Sequence, residues 1–287
     1  MGAWDSLDSL GTALLSDDVF RRFCALVHDG TGLSFSDNSR FFVEKRLENR
    51  LEALGGIRPE EYIHFLLYDQ EKEQEWGRLI DLLTTNETYF MREERQLKCF
   101  QKDILPLLVK QKPERKIRVW SAGCSTGEEP YSIVILLHES GLFKDGEVEI
   151  MATDINTRVL ARAREGLYTE SSFRAVDDGF KNRWFRKEPD GRFRISDEIR
   201  RKVKFSRFNL FDLDRYSLFT PFDVIFCRNV IIYFDIEAKV KVIERFWDKM
   251  RDGGYLLLGH SESLISITDK FKLVHLPSDL VYTKATQ

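Results

Sequence analysis

The stretch SAGCSTGEEPYS, residues 121–132, places two glycines and two adjacent carboxylates, Gly123, Gly127, Glu128 and Glu129, directly behind the apolar run IRVW. A glycine loop that opens a helix commonly collects anions, because free backbone N–H groups and the helix dipole both attract negative charge. Here the acidic pair stands where the anion would go. No Lys-Ser or Lys-Thr follows Gly127, which excludes a phosphate-cradling P-loop. Gly123 and Gly127 do not have the spacing of a dinucleotide fingerprint, and carboxylates at the helix start would repel a pyrophosphate. The chemistry that fits is the reverse: a positively charged ligand held by Glu129. Asp154, in the later segment MATDIN, stands where an acidic residue at the end of a second strand accepts ribose hydroxyls. S-adenosylmethionine, with an ammonium, a sulfonium and a ribose, suits both positions. Glu128 reads as a helix N-terminal charge facing water, and the glycines alone would also serve a plain turn.

The elements around these residues follow an α/β grammar from about Lys116 onward. IRVWSA is a short apolar strand, GEEPYSIVILLHES a helix, VEIMATD a strand and NTRVLARAREG a helix, the alternation that builds a parallel sheet. The pattern resumes with FDVIFC, an amphipathic helix from about Ile236 to Met250, and GYLLLGH. Between these halves, in residues 168–208, RFRI and KVKFSRF alternate like half-exposed antiparallel strands around Pro189-Asp190-Gly191, which reads as a small β insertion. The glycine loop then lies at the C-terminal end of the first strand, the edge where open α/β sheets bind ligands.

Residues 1–84 read as a separate all-α domain. Ser16-Asp17-Asp18 caps a helix with the stripe Phe20, Phe23, Cys24 and Val27, and a second helix, about Ser39 to Leu54, carries Val43, Leu47 and Leu51 and stops at Gly55-Gly56. Pro59 opens a third helix with Tyr62, Phe65 and Leu66, and a fourth follows with Trp76, Leu79, Ile80 and Leu83. Residues 85–115 form a linker with a helix from about Glu93 to Lys110, and residues 116–287 the α/β domain.

The composition of the 287 residues, 43% hydrophobic with a net charge of −3, supports sizeable cores and weighs against a general nucleic-acid binder. Cys24, Cys99, Cys124 and Cys227 form no CxxC pair and read as reduced thiols, with no zinc site. No signal-peptide pattern or membrane-length apolar run is present, so a cytoplasmic protein without membrane insertion is expected.

WSAGCSTGEEPYS, TTNETYFMRE, ATDIN and FCRNVIIYF together resemble the chemotaxis receptor methyltransferase family, CheR, in order and spacing over nearly the whole chain. The resemblance implies a Rossmann-like adenosylmethionine-dependent methyltransferase domain behind the all-α domain, acting as a protein-glutamate O-methyltransferase on chemoreceptors. It implies that Asn86, Thr88 and Arg92 reach the cofactor from the linker, and that Glu129 holds its methionine end and Asp154 its ribose. It likewise implies that Asn209 and Leu210 flank the adenine, Arg228 and Asn229 occupy the end of the fourth strand, and Tyr233 completes the pocket beside the methyl. Arg92 and Tyr233 are the candidates for orienting the reacting groups.

The chemistry asks little of an acid or base, because a glutamate acceptor is already ionised at neutral pH. His28, His64, His138, His260 and His275 show no metal or triad spacing, in keeping with that. Arg46 and Arg50, with Arg40 and Lys45, could form a basic stripe that docks the acidic methylation helices of a receptor, although Glu44, Glu48 and Glu52 are interleaved with them. A monomer is expected. Family members that grip a receptor's C-terminal peptide carry Gly-x-Gly in the β insertion; this chain has Glu188-Pro189-Asp190-Gly191-Arg192, so the resemblance does not extend to that tether. A small-molecule or RNA methyltransferase, or a non-catalytic adenosylmethionine-binding signalling module, remain as alternatives; the acidic balance and the lack of an NPPY-like motif weigh against RNA and amine acceptors.

Overall fold

The computed structural model describes residues 15–111, 116–144 and 146–285. The chain divides after Leu83 into two compact units.

The first unit is built from helices α1 (Asp17–Thr31), α2 (Arg40–Ala53), α3 (Pro59–Tyr68) and α4 (Lys72–Leu83). Ser16 caps α1 by accepting from the Val19 N–H, and Gly32, at φ 75°, ends it in the left-handed conformation that suits glycine. Phe20, Phe23 and Val27 pack with Val43, Leu47, Tyr62, Leu66 and Leu79. Each such side chain contributes roughly 1.5–3 kcal/mol by leaving water. Set into this apolar core is Glu75, only 1% exposed, which accepts from Arg50 Nε and from the Tyr62 hydroxyl, both at 2.6 Å.

Arg50, part of the expected basic stripe, pairs with Glu75 inside the unit. Arg40 bridges Asp17 and Glu44, while Arg46 donates to the Leu82 carbonyl at 3.0 Å and lies 3.5 Å over the Phe42 ring. Lys45 keeps an exposed ammonium, paired with Glu48. The physical reason is that a guanidinium four residues along a helix from another can turn inward wherever a buried carboxylate meets it, and Glu75 lies 25 residues away in sequence.

The second unit begins with the segment 84–93 and a continuous helical run: α5 (Glu94–Cys99), a π-wound turn (Phe100–Ile104) and α6 (Leu105–Gln111). Strands and helices then alternate: β1 (Ile117–Ala122), α7 (Glu128–Ser140), β2 (Val148–Asp154), α8 (Thr157–Glu165), β3 (Leu167–Tyr168), α9 (Asp178–Trp184), β4 (Phe185–Lys187), β5 (Phe193–Ile195), α10 (Asp197–Arg200), β6 (Val203–Arg207), β7 (Phe222–Cys227), α11 (Ile236–Asp248), β8 (Met250–Leu258), β9 (Phe271–His275) and β10 (Leu280–Lys284). The main sheet has the order β6-β2-β1-β7-β8-β10-β9, with β10 antiparallel to both neighbours. All residues of β7 are buried, as a strand covered on both faces requires. From β1 the chain moves outward through β2 to β6, then crosses to β7 and β8 on the other side, so the order reverses between β1 and β7. The crevice at their C-terminal ends is where such a sheet receives a ligand.

The β insertion is smaller than expected: β3, β5 and β4 form a separate antiparallel sheet, closed by a turn in which Gly191 N donates to Glu188 O. KVKFSRF does not belong to it. As β6 it pairs in parallel with β2 at the edge of the main sheet. An edge strand has one solvated flank, and its exposed positions gave it the alternation of a hairpin strand. Phe90 docks the 84–93 segment against the insertion, with the rings of Tyr168 and Phe185 at 4.8 Å and Phe173 at 5.2 Å.

Candidate functional site

The loop after β1 closes only because its residues tolerate unusual backbone. Gly123 has φ 87°, and a Cβ there would overlap Val230 Cγ2; Gly127 has φ 94°. The loop is tied to β2, since Gly123 N and Cys124 N both donate to Thr153 O at 2.8 and 2.9 Å. Asp154, 8% exposed, accepts from Ser125 N at 2.8 Å and from Asn156 N at 2.9 Å, and thus fixes the glycine loop to the start of α8. The backbone N–H of Phe208 donates to Asp154 O, which sets Asn209 and Leu210 beside the same strand end; Asn209 Oδ1 accepts from Phe211 N, and Leu210 is buried.

Charge is concentrated at the neighbouring strand end. Arg228, following β7, is almost fully buried and pairs with Glu93 at 3.1 Å and Glu129 at 3.2 Å, while also donating to the Arg92 carbonyl. Its Nε is buried without a hydrogen-bond partner. Glu129 accepts from Ser121 Oγ at 2.7 Å, and Asn229 Nδ2 reaches Glu93 at 3.3 Å. Burial pushes the Glu129 carboxyl above the ordinary range despite the pull of Arg228 and Ser121. Burial also acts on Glu93, but attraction to Arg228 and its hydrogen bonds prevail and hold that carboxyl low. The Cys124 thiol is pushed well up, first by burial and then by Asp154, Glu129 and Glu128 together, which places these carboxylates around one point of the loop. Glu93 and Glu129 therefore share a single guanidinium. This acidic surplus fits a cationic ligand.

Glu128 does not face water. It is 2% exposed and accepts from Thr126 Oγ1 at 2.6 Å and Ser172 Oγ at 3.0 Å, because the turn Glu170–Phe173 roofs the first turn of α7; burial raises its carboxyl. The 84–93 segment lies across the loop as a strap. Thr84 Oγ1 accepts from Asn156 Nδ2 at 2.7 Å, the Asn86 carbonyl from Ser125 Oγ at 3.3 Å, and Met91 N donates to Ser132 Oγ at 3.1 Å. Phe90 N donates to Ser172 O at 2.9 Å. The Arg92 guanidinium donates to the Glu87 carbonyl at 2.6 Å, and Thr88 is half-buried. Met91, Glu93, Ser125 and Asn229 all have positive φ. Such strained backbone in non-glycine residues clusters at functional sites.

Tyr233 lies half-buried in the turn Ile231–Tyr233, and that turn is held by a residue the sequence reading missed. The Glu262 carboxylate accepts from the backbone N–H groups of Asn229 and Gly259 at 2.7 Å, Val230 at 2.9 Å and Ile232 at 3.3 Å. The geometry thus brings Glu129, Arg228 and Asn229 together, joins Asp154 to the loop and to Asn209–Leu210, and places Asn86 on the loop. It adds Glu93, Glu128 and Glu262. Glu93 closes TTNETYFMRE and Glu262 follows GYLLLGH by two residues, but no local signal marked the distant partners of either.

An open sheet with its glycine loop and carboxylates at the reversal point defines a Rossmann-like methyltransferase. Residues 86–280 match the CheR methyltransferase SAM binding domain and residues 18–84 the CheR methyltransferase all-alpha domain. The chain is 36% identical over 272 residues to chemotaxis protein methyltransferase 2 of Vibrio cholerae serotype O1, covering 94% of each chain. It is 37% identical over 264 residues to the chemotaxis protein methyltransferase of Salmonella typhimurium, covering 90% of this chain and 88% of that one. With the Escherichia coli chemotaxis protein methyltransferase it shares 36% identity, covering 90% of this chain and 89% of the other. The chain belongs to the CheR methyltransferase family and is an S-adenosylmethionine-dependent methyltransferase.

Proposed function

We propose that this chain methylates glutamate side chains of chemoreceptors to γ-methyl esters, in the cytoplasm and as a single copy. The observation that carries the reading is the pairing of two carboxylates, Glu93 and Glu129, with one buried guanidinium at the reversal point of the sheet. Relatives bearing the name chemotaxis protein methyltransferase support the acceptor.

When bound, S-adenosylmethionine supplies an electrophilic methyl group on a sulfonium. Glu129 takes the ammonium end, Asp154 the ribose hydroxyls, and Asn209 with Leu210 the sides of the adenine. Asn86, Thr88 and the rest of the strap cover the site and keep water out. Arg228 and Asn229, fixed through Glu93, hold the wall between loop and strap, and Arg92 and Tyr233 align the incoming carboxylate. An ionised acceptor needs alignment and water exclusion, since attack on a sulfonium removes charge from both partners and polar solvent slows it. No proton has to leave first. Of the residues expected to dock the receptor, Lys45 keeps an exposed charge, and docking through the helical unit rests on it and on the outer edge of Arg46.

Incubation with methyl-labelled cofactor and receptor-bearing membranes tests the reading. Label released as methanol by mild base is the expected result. Base-stable label would point to an amine or RNA acceptor, and binding without transfer to a signalling module. Single-turnover rates should also stay flat across neutral pH; a rate climbing tenfold per pH unit would show that a proton must leave and would overturn the carboxylate acceptor.

A further inference from the structure

We infer that Glu262 is a positioning residue for methyl transfer, which by gathering the backbone amides of residues 229–232 fixes where Tyr233 points its hydroxyl. The inference rests on the reading of Tyr233 as a group that aligns the incoming carboxylate, and adds what holds that group in place.

The Tyr233 side chain has no hydrogen-bond, ring or ion-pair partner among the described residues. Its recorded hold on the fold is the backbone, where Tyr233 N donates to Val230 O and Phe234 N to Ile231 O, both at 3.2 Å. The turn therefore decides where the ring points. That turn starts from Asn229 at φ 58°, a left-handed conformation that persists in a residue bearing a side chain only where its surroundings over-determine it.

Glu262 supplies that constraint. Its Oε2 accepts from Asn229 N and Gly259 N, both at 2.7 Å, and its Oε1 from Val230 N at 2.9 Å and Ile232 N at 3.3 Å. Both oxygens are thus spent on backbone amides of the turn and its neighbour. The same turn is pressed against the glycine loop: a Cβ on Gly123 would overlap Val230 Cγ2, and Asn229 Nδ2 reaches Glu93, the partner of Arg228. A shift of about 1 Å in such a place is enough to slow a transfer about a hundredfold. Glutamine is the discriminating replacement. It keeps the length of Glu262 but offers one acceptor oxygen, and its NH2 group would set donor against donor at the other pair of amides.

Single-turnover transfer from methyl-labelled S-adenosylmethionine to receptor-bearing membranes tests this, with S-adenosylhomocysteine affinity read by calorimetry. Glu262→Gln should lower the rate at saturating membranes by about tenfold to a hundredfold. The half-saturating membrane concentration and the S-adenosylhomocysteine affinity should stay within about threefold of native. Gly259→Ala is a milder second variant should the first fail to fold: a methyl there would crowd Asn229 N and Glu262 Oε2, each at 2.9 Å, and prise the clasp open without removing its charge. It should slow transfer in the same way. In the Tyr233→Phe background, which lacks the hydroxyl to be aimed, neither substitution should cost more than about a further twofold, the coupling that marks action through Tyr233. A native rate in both variants overturns the inference. So does the same fold-loss with and without the Tyr233 hydroxyl, or a loss of cofactor affinity that accounts for the lost rate, since a merely structural residue would give either. A native rate in Tyr233→Phe alone removes Tyr233 from the step and the inference with it. Failure of the native protein to form base-labile ester on these membranes would instead strike the acceptor reading itself.

Discussion

Arg50 in the helical unit meets one buried carboxylate and Arg228 in the sheet unit two half-buried ones, and the two clusters are filled differently. Glu75 receives Arg50, the Tyr62 hydroxyl and, at 3.5 Å, Arg78, so its single charge is fully answered from within. Burial lifts its carboxyl, but the hydrogen bonds from Arg50 and Tyr62 prevail and hold it below the ordinary range. Around Arg228 the ratio is inverted: Glu93 and Glu129 share one guanidinium, and Glu129 is left above the ordinary range. A buried ion cluster that closes on itself is scaffolding, whereas one left short of positive charge is prepared for charge brought from outside.

The sharpest break of this contrast is Arg228→Ala, which strands two half-buried carboxylates and should lower the stability of the sheet unit by about 3 kcal/mol. Native-state hydrogen exchange of the β7 amides measures it, and part of the loss should return in acid as Glu93 and Glu129 take up protons. Arg50→Ala should cost less, about 2–3 kcal/mol, because Glu75 keeps Tyr62 and Arg78. Its effect should be confined to exchange in α2 and α4 with cofactor affinity unchanged; a variant of full stability that fails only with receptor would restore the docking role. Asp154→Ala should weaken adenosylmethionine binding by about 1–3 kcal/mol in calorimetric titration. Unchanged affinity with an intact fold would remove Asp154 from the site.

The smallest effect concerns pH. Glu75 titrates below its unfolded value, so its contribution to stability is present at neutral pH and fades as pH falls through the lowered folded value. Glu129 titrates above its unfolded value, so its contribution is present in acid and fades as pH rises through the raised folded value. Mild acid should therefore relieve the second cluster, whereas the first should loosen only below the ordinary carboxylate range. A cation arriving at Glu129 should draw its carboxyl down and release protons, so affinity should rise with pH by less than about tenfold per unit. Calorimetry in buffers of different ionisation enthalpy reads that release, and proton uptake would contradict it.

The parts legible in the sequence are those whose signal is local. Apolar runs gave the parallel strands, caps and glycines gave the helix ends, and the acidic loop with Asp154 pointed to the cofactor S-adenosylmethionine. What escaped is set by partners far along the chain. Glu75, Glu93, Glu128 and Glu262 look like ordinary surface charges until Arg50, Arg228, Ser172 and the 229–232 backbone fold over them, between 25 and 135 residues away. The misplaced strand KVKFSRF failed for a related reason, since its alternation reports one solvated flank and says nothing of which sheet it joins.

Because one Glu262 carboxylate gathers amides from residues 229–232 and from residue 259, the two turns are bound to each other in length as well as in position. An extra residue in either would carry amides out of reach and leave a half-buried acid facing none. Descendants of this chain can vary freely in length at the exposed Pro189–Gly191 turn, but insertions or deletions around Asn229 or Gly259 should survive only as matched pairs.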